Sequence, residues 1–219
     1  MKIAFRVDAS TSMGIGHFMR CLTLSEELRQ GGAQIHFICR EHIGNLIGLL
    51  EKKIMAVTVL PASVINGSLH SENYSDWLGV TQVVDAEQTI DALKGEHIDW
   101  LIVDHYGIDA EWEQQLRPYT EKLMVVDDLA NRPHNCDLLL DQNYSVNGES
   151  RYVGLVPEFC KLLLGPSYAL IRPEYLYSRK NLYAPKEPVT KIFVFFPNIY
   201  ALKFLQFFLD NFNLSPFFA

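Results

Sequence analysis

Along roughly the first 145 residues, short apolar runs alternate with stretches in which apolar and charged positions interleave. Ile3 to Val7 predicts a strand. A helical pattern follows from about His17 to Gln30, with Leu22, Leu24 and Leu28 apolar and Arg20, Glu26, Glu27 and Arg29 polar. The Gly31-Gly32 pair ends that helix, since glycine readily takes the left-handed backbone that closes a helix. Ala33 to Cys39 predicts a second strand, Ile43 to Glu51 a second helix, and Ile54 to Leu60 a third strand. Trp100 to Val103 and Leu123 to Val126 are continuous apolar runs too short for helices, which suits strands covered on both faces. Strands alternating with helices imply βαβ units. The expected fold class is therefore α/β, a Rossmann-like parallel sheet with flanking helices.

Four of the apolar runs end in a carboxylate: Asp8, Asp104, Asp127 and Asp141. The carboxyl ends of strands in an open parallel sheet share one edge, where ligands bind. Aspartate also starts loops well, and each acid taken singly fits either reading.

The pattern changes after residue 180. Residues 1–180 form the first domain, 181–190 (with Pro185 and Pro188) read as a linker, and 191–219 begin like the first strand of a second domain. Nine of the thirteen phenylalanines then fall between Phe193 and Ala219, with only Lys203 and Asp210 as charges. Three readings compete for this stretch: a membrane anchor interrupted by Pro197, Asn198 and Lys203, a buried helix from Tyr200 to Phe212, or an out-of-frame or truncated end.

Composition narrows the function. A net charge of −7 excludes a long phosphate-neutralising footprint, so no nucleic-acid partner is expected, although one donor cluster suffices for a small anionic ligand. Cys21, Cys39, Cys136 and Cys160 are far apart in sequence, with no Cys-x-x-Cys pair. That argues against a disulfide framework or zinc site and for a reducing, cytoplasmic setting. The histidines are scattered singly, so no metal and no cofactor is expected. No export signal is read at the N-terminus, no membrane partner is expected, and a monomer is anticipated.

The densest chemistry lies in Asp8-Ala-Ser-Thr-Ser-Met-Gly14-Ile-Gly16-His17-Phe-Met-Arg20, between a strand and a helix. Two glycines permit a tight turn and close approach of a ligand. The amide groups and dipole of a helix start favour an anion. The same position disfavours imidazolium, so His17 is expected to be neutral and able to accept a proton, with Arg20 one turn on. A helix-start histidine that merely packs is the alternative. A dinucleotide-binding reading matches only in part: Met19 occupies the third glycine position, and the loop from Asp8 to Gly14 is long.

Phe5-Arg6-Val7-Asp8 followed by Gly14-Ile-Gly16-His17-Phe-Met-Arg20-Cys-Leu resembles the opening motif of the UDP-2,4-diacetamido-2,4,6-trideoxy-β-L-altropyranose hydrolases of bacterial pseudaminic acid synthesis. Further matches follow in order: Leu101-Ile-Val-Asp104-His105-Tyr106, Val125-Val-Asp127-Asp128-Leu-Ala, Asp137-Leu-Leu-Leu-Asp141-Gln142-Asn143, and Gly165-Pro166-Ser-Tyr168-Ala-Leu-Ile-Arg172-Pro-Glu. The resemblance implies the N-terminal domain of a glycosyltransferase-like two-domain architecture of the B type (GT-B), turned to hydrolysis of a nucleotide-sugar. It implies that His17 deprotonates the water that attacks the anomeric carbon as UDP leaves with inversion, and that a C-terminal domain supplies most of the nucleotide site. Asp8, Gly14, Gly16, Arg20, Asp104, His105, Tyr106, Gln142, Asn143, Tyr168 and Arg172 become the candidate substrate contacts. After Val194-Phe195-Phe196 the family pattern of a Gly-Gly-Ser-Asp type loop is replaced by Pro197-Asn198-Ile199-Tyr200. A glycosyltransferase on the same scaffold and a non-catalytic sugar-binding domain remain open alternatives.

Overall fold

The computed structural model describes residues 1–62 and 74–180. The chain divides into two units, Met1–Leu176 and Tyr177–Ala219. The predicted linker and the phenylalanine-rich segment lie outside the described residues. The first unit holds strands β1 (Lys2–Val7), β2 (Gln34–Arg40), β3 (Ala56–Leu60), β4 (Ile98–Asp104), β5 (Thr120–Val126), β6 (Leu138–Asp141) and β7 (Lys161–Leu164). Helices α1 (Gly16–Gln30), α2 (Ile47–Lys52), α3 (Gln82–Ala92) and α4 (Ala110–Leu116) lie between them, and α5 (Pro173–Lys180) follows.

All seven strands are parallel, in the order β3-β2-β1-β4-β5-β6-β7. The order reverses between β1 and β4, so a crevice opens beyond their carboxyl ends, the usual ligand position in such sheets. The second helix begins at Ile47, not at Ile43. Gly44 has φ of +79°, and the Asn45 side-chain oxygen accepts from the Ile47 amide, so residues 43–46 form a loop. The third strand begins at Ala56, because Ile54 turns the chain at φ of +55°. Strand β7 and helices α3 and α4 escape the sequence reading.

Why the strands read as unbroken apolar runs follows from the two cores. Successive strand side chains point to opposite faces. On the face covered by α1 lie Ile3, Phe5 and Val7 of β1, Trp100 and Ile102 of β4, Met124 and Val126 of β5, and Leu138 and Leu140 of β6. Ala4, Leu101, Val103, Leu123, Val125 and Leu139 face the other core, with Trp112 and Leu116 of α4. The same parity fixes the direction of each strand-end acid. Asp104 follows Trp100 and Ile102 onto the α1 face. Asp8, Asp127 and Asp141 continue the rows that point to the α3 and α4 face.

Candidate active site

Helix α1 starts directly after the glycine loop. Gly14 sits at φ of +78°, a conformation that side chains other than glycine rarely adopt, and its amide donates to the Ser10 carbonyl at 2.9 Å. No heavy atom would meet a Cβ at Gly16, so open space lies over the helix start. The helix has neither a side-chain cap at Ile15 nor an acid in its first turn. Its leading amides are therefore oriented toward an incoming anion.

His17 stands in that first turn. Its Nδ1 lies 2.6 Å from Asp104 Oδ1. Asp104 also takes a two-pronged contact from Arg20, Nε to Oδ2 at 2.6 Å and Nη2 to Oδ1 at 2.7 Å. A carboxylate only accepts, so the 2.6 Å contact assigns the ring proton to Nδ1; Arg20 Nη2, 3.1 Å from the same nitrogen, then donates to Asp104 and not to the ring. Nε2 is then the basic atom, and it has no protein partner among the described residues. Burial pushes the Asp104 carboxyl up, but His17 and Arg20 outweigh it and hold the group well below the usual carboxylate range. Asp104 thus stays ionised and locks the tautomer.

Around this pair the structure adds groups that the sequence did not single out as site residues. Asp128 accepts from Arg20 Nη1 at 3.3 Å, from Asn143 Nδ2 at 3.1 Å, and from the Tyr106 hydroxyl. Burial, reinforced by the bond to Asp128, pushes the Tyr106 phenol up, so it remains a donor at neutral pH. The Tyr106 ring meets His17 edge-on at a centroid distance of 4.4 Å. Trp77 stacks on Tyr106 at 5.8 Å, and Tyr74 meets both. Tyr74 and Trp77 come from a 3-10 turn (Tyr74–Leu78) with no periodic signal of its own, and with Tyr106 they form an apolar wall beside the histidine.

The other candidate residues divide by burial. Asp8, 1 % exposed, accepts from Arg6 Nη1 and from the Arg40 amide, both at 2.6 Å. His105, 3 % exposed, accepts at Nδ1 from the Gly107 amide at 3.0 Å, and its Nε2 lies 3.5 Å from Asp8. Burial lowers the His105 pKa to about 3, more than the nearby Asp8 charge can offset. Both residues sit behind the crevice on the α3 and α4 face. Gln142 receives the Leu170 amide at 3.0 Å and orders the chain after β7. Asn143 and Tyr168 line a cavity of about 950 Å³ beyond β6 and β7, with Asp141, Tyr144, Leu164 and Gly165. Arg172 is exposed, with its guanidinium 2.5 Å from the Tyr175 hydroxyl and over that ring.

Asp127 and Asp141 tie loops to the sheet edge. Asp127 accepts from the Ala130 amide and pairs with Arg132, and Asp141 pairs with Arg151. The Tyr152 hydroxyl lies within 3.2 Å of both carboxylates. Of the four strand-end acids, only Asp104 reaches the histidine.

No protein-family model matches the chain. It is 31% identical over 181 residues to the UDP-2,4-diacetamido-2,4,6-trideoxy-β-L-altropyranose hydrolase of Campylobacter jejuni, a match that covers 83% of this chain and 56% of that protein. It is 25% identical over 184 residues to the uncharacterized protein MJ1062 of Methanocaldococcus jannaschii, covering 83% of this chain and 33% of that protein. The chain thus spans about half the length of the first relative and a third of the second. Over the stretch that they share, the similarity supports a place for the chain in the family of the UDP-2,4-diacetamido-2,4,6-trideoxy-β-L-altropyranose hydrolases.

Proposed function

We propose that the chain hydrolyses the glycosidic C–O bond of UDP-2,4-diacetamido-2,4,6-trideoxy-β-L-altropyranose, releasing UDP and the free sugar, with His17 as general base. The observation that carries this reading is the His17 ring, fixed through Nδ1 by Asp104 with Nε2 left toward the crevice. In the proposed step Nε2 takes a proton from water, the water oxygen bonds to the anomeric carbon, and that carbon's bond to the diphosphate oxygen breaks. A positioned base of this kind supplies a factor of about 10² to 10⁴ in rate. The positive charge that forms on the ring is stabilised by the ionised Asp104, while Arg20 holds that carboxylate in place.

In the same reading the uncapped start of α1, beside the open space at Gly16, receives the departing diphosphate. The wall of Tyr74, Trp77 and Tyr106 gives the apolar edge of a deoxy-sugar a surface to rest on. Tyr106 and Asn143 then offer donors and acceptors to the acetamido and hydroxyl groups. The sugar and the base belong to residues 1–180, and the uridine is held largely elsewhere, as in a two-domain glycosyltransferase of the B type. Cytoplasmic action as a monomer completes the proposal; no helix among the described residues is long and apolar enough to cross a membrane.

The test is turnover of the altrose nucleotide in water enriched in heavy oxygen, read by mass spectrometry. The label is expected in the sugar and absent from UDP. Label in UDP would mean attack at phosphorus. Formation of a glycoside with an added acceptor, in place of free sugar, would make the protein a transferase on the same scaffold.

A further inference from the structure

Two cysteines that are 24 residues apart in sequence meet at the sheet edge opposite the histidine. Cys136 lies two residues before β6 and Cys160 directly before β7, at the amino ends of adjacent parallel strands. Their sulfurs are 3.5 Å apart. The backbone on either side is pinned: the Lys161 amide donates to the Asp137 carbonyl at 2.9 Å, and the Cys160 amide to the Pro157 carbonyl at 2.9 Å. The pair is unlike the other two thiols. Cys21 and Cys39 are buried in the α1-side core, where burial pushes both thiols up and removes them from solvent. Cys136 is buried and Cys160 is partly exposed, so one sulfur is open to attack and the second waits beneath it.

We propose that Cys136 and Cys160 form a site of reversible thiol oxidation that closes as an intramolecular disulfide. With oxidised glutathione as oxidant, the Cys160 thiolate attacks one glutathione sulfur, forming a Cys160–glutathione disulfide and releasing one reduced glutathione. Cys136, deprotonated, then attacks the Cys160 sulfur, and the second glutathione leaves as its thiolate and takes up the proton. Two cysteine sulfurs are oxidised, one glutathione disulfide is reduced, and two reduced glutathiones result. The division of roles matches the hydrogen bond between the sulfurs. With Cys136 as the donor across the 3.5 Å contact, the bond lowers the Cys160 thiol and, with burial, raises Cys136. A thiolate attacks faster than a thiol, so Cys160 is the entry point. The closed loop contains Asp141, Asn143 and Arg151, which line or brace the carboxyl edge of the sheet.

The experiment exposes the full chain to oxidised glutathione, blocks residual thiols with iodoacetamide, and maps disulfides by tryptic digestion without reduction. The expected product joins the peptide 123–151 to the peptide 152–161, with Cys21 and Cys39 unmodified until the protein is unfolded. Cys136→Ser is expected to stop at a stable glutathione adduct on Cys160, and Cys160→Ser to take up no glutathione under native conditions. The proposal is overturned by native protein in which 136 and 160 stay unlinked while Cys160 is alkylated. It is equally overturned by a Cys136→Ser variant that acquires no adduct.

Discussion

Asp104 and Asp8 lie next to each other at one sheet edge, in register through the Val7 and Asp104 pairing, yet their surroundings have opposite uses. Asp8 belongs to a sealed cluster. Arg6 reaches Asp85 with two contacts, at 3.0 and 2.7 Å, and Asp8 with a third. Arg40 adds a bond to Asp85 at 2.6 Å and Trp112 another at 3.0 Å. Two guanidiniums face two carboxylates with every side chain in the pairings fully buried, so the cluster is neutral as a whole. Asp104 likewise has an arginine and a histidine beside it, but its histidine is bound through Nδ1 at 2.6 Å and stands in the first turn of α1, whereas His42 and His105 lie 3.4 and 3.5 Å from Asp8. Nearly the same charges make a brace on one face and, in the proposed function, a base on the other. What separates the two is strand parity: one residue of register puts Asp8 behind the sheet and Asp104 before it.

The largest effect is expected from breaking the brace. Asp85→Ala leaves Arg6 and Arg40 buried without their shared partner, a change that costs about 3–5 kcal/mol when one member of a buried pair is removed. Against a total stability of roughly 5–15 kcal/mol, the variant should melt far below the parent chain or fail to accumulate. A denaturant titration checks it, and near-parental stability would mean that the cluster is not the brace described here.

Next comes the other carboxylate. Asp104→Asn keeps the shape but permits the ring proton to move to Nε2, so the rate of UDP release should fall by about 10² or more while the melting curve moves far less than for Asp85→Ala. An equal loss of stability in both variants would erase the distinction between the clusters.

The smallest effect separates the two faces by pH. His105 stays neutral in the fold down to about pH 3, whereas the unfolded ring gains a proton below about 6.5. Its contribution is therefore complete above 6.5 and is lost as pH falls from 6.5 toward 3, because the unfolded state then binds more protons. Half-buried His36, also lowered by burial, adds in the same direction. His105→Gln should flatten the fall in denaturant midpoint between pH 6.5 and about 5, above the range in which the carboxylates of the unfolded chain begin to protonate. An unchanged slope would place the titration elsewhere.

The sequence carried the sheet well, for a physical reason. Strands buried on both faces leave unbroken apolar runs, and Asp8, Asp104, Asp127 and Asp141 marked their common edge. It did not say which of those acids faced the crevice, because that depends on which helix covers which face. His17 and Arg20 were legible as a loop-to-helix motif with one face in common. Asp128, Trp77 and Tyr74 were not, since they join Arg20, Tyr106 and the histidine only through tertiary packing. Asp85 and Arg40 were equally hidden, 45 residues apart and joined only when β2 and α3 close over Arg6. Likewise, Cys136 and Cys160 are distant in sequence and become neighbours only through the pairing of β6 with β7.

The measurement that bears most directly on the account is UDP release from the altrose nucleotide by the chain and by His17→Ala, at equal folded concentration verified by thermal melting. A basic Nε2 at the crevice predicts a fall of about 10² to 10⁴ with the melting curve preserved. Equal rates in the two proteins would contradict it, and His17 would then be a packed residue of the first helical turn.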